Sequence, residues 1–360
     1  MLSYWLFFFV ISFFAILSKR RVPVTSDGRY TSSLTILWWI MIFFLMFFIG
    51  LRHEVGGDWT NYIRHLQYLD PNNILDSLDV FEDPGYDVLN YTSLALGWGI
   101  YGVNIFCGFI FSLGLAFFCR HLPRPFLALA VAFPYMVIVV AMGYTRQGVA
   151  LGIAMMGLVY LSREKRFRFV ILILIAATIH KAAFLLMPIA ALASTKNRKV
   201  VFFSFTVIIA YVYFIFLSDA YEQLIINYIE AQYRSQGAFI RLTMNAIPSA
   251  IFLIWNHRFN LPDSDRLLWK IFAYISLLLM VMLFLTDAST ALDRIGLYMI
   301  PIQLVVFAYL PEAFGSRGSI NQWIVLVIIG YYFSVMFVWL NFSSHAALWL
   351  PYKNILFDAV

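Results

Sequence analysis

Apolar residues in this chain come in blocks, and the blocks have the length that carries a helix across a hydrocarbon core. Segments 2–17, 34–50, 101–119, 126–142, 147–161, 200–217, 243–256, 271–286, 295–310 and 322–340 all fit that description. The stretch 169–194 is long enough for one helix, but His180-Lys181 lies in its centre. Bases flank it on both sides: Arg163, Lys165, Arg166 and Arg168 before, Lys196, Arg198 and Lys199 after. The pattern predicts an all-α polytopic integral membrane helix bundle of about 10–12 spanning or re-entrant segments. Residues 1–360 read as a single membrane domain, with an outer loop at 51–100 bearing short interfacial helices and another at 218–242.

Composition agrees. The chain is 62% hydrophobic and 12% charged, against about 25% charged in soluble proteins. Lys19-Arg20-Arg21 follows the first apolar run instead of preceding it, the reverse of a cleaved signal peptide, so 2–17 is expected to stay as a span. Cys107 and Cys119 lack metal-ligand spacing and read as small buried hydrophobes. A net charge of +6 with scattered bases is no nucleic-acid signature.

The placement of the bases says more than their sum. If 169–194 is a hairpin with His180 at its tip, about 17 of the 25 Lys and Arg fall on one side, the cytoplasmic one. A single crossing there lowers that to about 14 of 25. The hairpin topology puts both termini outside, and gives the outer face Arg52, Asp58, Glu82, Arg146, His180, Arg241, Asp293 and Arg294. Ionisable groups in apolar settings are costly and are functional candidates by default.

Each candidate also has an ordinary reading. Arg52 ends a span, where arginine commonly snorkels. Asp58 follows the Gly56-Gly57 turn and suits the N-cap of a short amphipathic helix containing Tyr62. Asp83 is placed to cap a second helix that opens with Pro84, leaving Glu82 without a local structural duty. Arg146-Gln147 has nothing nearby in sequence to neutralise it. His180 could be a buried, hydrogen-bonded residue. Arg241 and Arg294 each begin an inward-going helix, and Tyr298 lies one turn below Arg294. There is no GxxxxGK[ST], GxGxxG or HExxH. Asp263-Ser264-Asp265 resembles a metal-binding DxD, but sits in a short cytoplasmic loop with no nucleotide domain around it.

In order and spacing these pieces form a pattern. Arg52-His53-Glu54-Val55-Gly56-Gly57-Asp58 with Tyr62, Glu82-x-Pro84-Gly85, Arg146-Gln147, His180-Lys181-Ala182-Ala183, and Asp293-Arg294 with Tyr298 resemble the EpsG family of Wzy-type polysaccharide polymerases. The likeness spans roughly residues 50 to 300. The second glycine before Asp58 and Ala182 after Lys181, often serine in the family, depart from its pattern.

The resemblance implies a bacterial inner-membrane glycosyltransferase with its site facing the periplasm or cell exterior. It would move a glycan from undecaprenyl diphosphate to the sugar of another lipid-linked repeat unit, making exopolysaccharide or O-antigen. The donor's diphosphate already activates it, so no cofactor and no metal are expected. The lipid-linked oligosaccharide and membrane lipids are the expected partners, with a chain-length regulator and a flippase of the same pathway as further candidates. On this reading Arg146, Arg241, Arg294 and Arg52 would stabilise the diphosphate or transition state. Glu82 is the first choice for general base, then Asp58 and His180. Tyr62 and Gln147 would position sugar hydroxyls, and Asp293 and Tyr298 would complete the substrate-binding set. Rival readings are a flippase or exporter of the same lipid-linked sugars, and an O-antigen-ligase-like or acyl-transferring membrane enzyme.

Overall fold

The computed structural model describes residues 1–18, 28–30, 33–69, 83–193, 237–286, 289–315 and 321–357. The expected span at 200–217, most of the loop 218–242, and Glu82 lie outside the described residues.

The protein is all-α. Its helices are α1 (Leu2–Leu17), α2 (Ile36–Gly50), α3 (Trp59–Tyr68), α4 (Pro84–Ala95), α5 (Gly99–Cys119), α6 (Pro125–Ala132) and α7 (Thr145–Ser162). They continue with α8 (Arg166–Ile179), α9 (Met187–Leu192), α10 (Ala238–Trp255), α11 (Asp263–Leu285), α12 (Ser289–Met299), α13 (Pro301–Ala313) and α14 (Gln322–Phe342). Four of these segments are long and apolar enough to cross a membrane, namely α5, Ala238–Arg258, α11 and α14; the bent pair α12–α13 adds a fifth. With the shorter apolar stretches Leu2–Leu17, Ile36–Gly50 and Pro125–Ala141, this is a polytopic membrane bundle.

The centre of the bundle is the hairpin of α6, its continuation, and α7. Nearly every residue of Pro125–Ala141 is buried. From Phe133 to Ala141 the helix widens to π geometry. Pro134 accounts for a disturbance there, since it lacks an N–H and crowds the preceding turn. α5 packs on α7 and α2 on α5, with α8 also against α7; α1 and α13 pack on α6, α10 on α13, and α11 on α10. The outward faces of α14 and α11, with Trp323, Val327, Phe284 and Leu285, stay exposed as lipid-facing surface.

Two departures from the hydropathy reading matter for function. The single span expected at 295–310 is broken at Ile300, where α12 and α13 meet at 44°. Pro301 at the start of α13 favours the break, because it cannot donate to the preceding turn. In the stretch 169–194 the chain leaves the helix at His180, which is extended (φ −153°, ψ 108°), and runs as a 3-10 turn over Lys181–Leu186. Past this turn α9 packs against the end of α8.

The segment after α14 carries no hydropathy signal, yet it clasps the bundle. Gly56 N–H donates to the Leu348 carbonyl (2.9 Å), His53 N–H to the Lys353 carbonyl (3.1 Å), and Ile355 N–H to the Leu51 carbonyl (3.0 Å). The Trp349 indole N–H donates to the Ile138 carbonyl, inside the π stretch (2.8 Å).

Candidate active site

One end of the bundle gathers the start of α3, α4, α7, α10 and α12 and the break after α8. Gly56 makes the approach possible. Its φ is +114°, and a Cβ there would lie 2.3 Å from the Met142 carbonyl oxygen, so loop 52–58 rests directly on the turn that leads into α7.

Arg146 is the second residue of α7, and 40% of its side chain remains accessible. Its Nη1 donates to Asp83 Oδ2 at 2.9 Å, and its guanidinium lies over the rings of Tyr86 (5.7 Å) and Tyr62 (6.0 Å). The counter-charge that local sequence lacked therefore comes from α4. Asp83 does stand at the N-cap position before Pro84, but its side chain makes no capping bond. Its second oxygen, Oδ1, accepts instead from the backbone N–H of Lys181 at 3.1 Å. Gly85 allows this contact, because a Cβ there would fall 2.4 Å from Thr178 Oγ1 near the end of α8.

Asp58 also occupies an N-cap position without a side-chain capping bond. Burial raises its carboxyl above the ordinary carboxylate range, while Arg146, a hydrogen bond with Asn61, and Arg294 pull it back in part. His180 Nδ1 lies 3.2 Å from the Tyr298 hydroxyl, with Arg146, Arg294 and Lys181 as its electrostatic neighbours. Arg294 is exposed, and among the described residues its guanidinium has no recorded hydrogen bond.

The remaining candidates are engaged by other protein groups. Arg241 and Asp293 form a bidentate pair with each other, through Nε to Oδ1 and Nη2 to Oδ2. Gln147, expected at a sugar hydroxyl, donates its amide to the Arg294 main-chain carbonyl at 2.9 Å and so fixes α12. Tyr62 is buried against Tyr86.

Arg52 differs most from its expected diphosphate role. It is fully buried and donates to the carbonyls of Ile49 and Val55, to Asn104 Oδ1 (3.1 Å) and to Thr145 Oγ1 (2.8 Å). It ties α2, α5 and α7 together as an internal strut. Asp265 of the DxD-like run is paired with Arg29 at 3.4 Å, at the other end of the bundle. No metal-holding group of three His, Cys, Asp or Glu occurs among the described residues.

The EpsG family model matches residues 35–354, from α2 through the C-terminal clasp. The chain belongs to the EpsG family. Membership assigns it a polysaccharide-polymerase-like role in a bacterial membrane. No curated protein and no solved structure matches it.

Proposed function

We propose that this EpsG protein polymerises lipid-linked repeat units at the outer face of the bacterial inner membrane. It transfers a glycan from undecaprenyl diphosphate to a sugar hydroxyl of a second lipid-linked unit. The observation that carries this reading is the juxtaposition of two accessible guanidiniums, Arg146 and Arg294, with the half-buried carboxyl of Asp58.

The acceptor oxygen attacks the anomeric carbon, the bond from that carbon to the phosphate oxygen breaks, and the diphosphate leaves with the electron pair. Arg146 and Arg294 meet the developing charge, with the exposed Lys181 close by. The N-terminus of α7 adds its own positive field at the same place. The acceptor's proton passes to Asp58. A carboxyl raised by desolvation suits that task, because its affinity for a proton lies nearer the working pH. Burial supports Asp58 over His180, whose Nδ1 is engaged with Tyr298.

The test uses purified protein in liposomes with a defined undecaprenyl-diphosphate oligosaccharide. A ladder of products is expected. A single added unit would make the protein a ligase, and translocation without bond formation would make it a flippase; either outcome overturns polymerisation.

A further inference from the structure

The two oxygens of Asp83 serve two different elements: the guanidinium at the start of α7 and the main-chain N–H just past the break at His180. An N-cap aspartate ordinarily turns its side chain to its own helix, and this one does not. It is also shielded, with 11% of its side chain accessible against 40% for Arg146. Arg146 is the strongest opposite charge acting on Asp58.

We propose that Asp83 is the positioning residue of this site, bracing the hairpin break and holding Arg146 so that the guanidinium faces substrate without closing onto Asp58. The proposal rests on the polymerase reading for its catalytic half only. Asp58 lies within the field of Arg146, so a guanidinium freed from Asp83 would be drawn toward it. Closing that pair for part of the time would draw off the diphosphate's partner and the proton acceptor together. The charged and titratable groups acting on Asp58 are Arg146 from α7, Arg294 from α12, Tyr62 from α3 and Tyr144 from the turn before α7. Only the first is held by Asp83.

The experiment compares wild type, Asp83→Asn and Asp83→Ala in two measurements. The first is turnover of undecaprenyl-diphosphate oligosaccharide across pH, resolved into kcat and KM. The second is amide hydrogen exchange over residues 176–186 without substrate, which needs no activity. Asp83→Asn is expected to lower kcat about tenfold with a smaller effect on KM. Its acid limb should move to lower pH, because an uncompensated Arg146 favours ionised Asp58. Asp83→Ala is expected to add faster exchange at Lys181. An unmoved acid limb, or wild-type exchange in Asp83→Ala, overturns the proposal. If wild type itself makes no polymer, the polymerase reading falls, and exchange alone decides: faster exchange in Asp83→Ala supports the brace, unchanged exchange removes it.

Discussion

Both ends of this bundle hold arginines, and Arg146 stands against a helix field where Arg124 and Arg29 stand with one. At the end carrying α7's last residue, guanidiniums meet helix C-termini. Arg124 donates to the carbonyls of Ala15 (3.3 Å) and Ser18 (3.1 Å) at the end of α1. Arg29 donates to the Ser162 carbonyl at the end of α7. These are the carbonyls a helix leaves unpaired, and the helix dipole favours a cation there. At the other end Arg146 stands in the first turn of α7, where the same dipole opposes a cation. Backbone chemistry explains the first set and not the second. An arginine placed against the helix field needs either a carboxylate or an anionic ligand, and Arg146 has Asp83 on one side while much of its side chain stays open.

The comparison can be broken most forcefully at Asp58. Asp58→Asn removes the proton acceptor and is expected to lower polymer formation about 10²–10⁴-fold. In wild type the rate should rise with pH as Asp58 ionises, with a midpoint above the ordinary carboxylate value because burial raises it, and the variant should lose that limb. Asp265→Asn, at the opposite end, should leave the profile in place; a shared response would erase the distinction. Next is Arg146→Ala, with an expected loss of about 10²–10³ in kcat and little change in thermal unfolding. Wild-type polymer lengths would take Arg146 out of the mechanism.

Arg52→Ala sharpens the contrast in another currency. It strands the carbonyls of Ile49 and Val55 and the side chains of Asn104 and Thr145, so a stability loss on the order of 3 kcal/mol is expected from detergent melts. Smallest is Arg124→Ala, costing about 1–2 kcal/mol while activity per folded molecule is kept. A catalytic defect without a stability defect in Arg124→Ala would reverse the assignment of the ends.

Much of the bundle was legible because a bilayer forces apolar blocks to show themselves. Thr145–Ser162 and Gln322–Phe342 lie within two residues of the segments read from hydropathy. Hydropathy is blind to bends, so the break at Ile300 inside an unbroken apolar run did not register, although Pro301 marked the place. Asp83 was misread for a different reason. Capping preference assigns an aspartate to its own helix, but a charge-assisted bond to an arginine is stronger, and that arginine is 63 residues away. Arg52 lies two residues past the end of α2 at Gly50, where unpaired helix carbonyls attract a cation, and its Nη1 donates to one of them, at Ile49. The clasp at 343–357 left no trace because it is not a long apolar block: it holds on by isolated bonds, main-chain ones at Leu348, Lys353 and Ile355 and side-chain ones at Trp349 and Tyr352, which hydropathy does not encode.

Trp349 has a consequence for how the protein is made. The Ile138 carbonyl it satisfies enters the bilayer with α6, while the indole is synthesised only after α14. Until then a loosened stretch of backbone must find temporary company in the membrane. The contacts that seat Gly56 and Ile138 therefore wait for the chain beyond α14, long after both residues have been made.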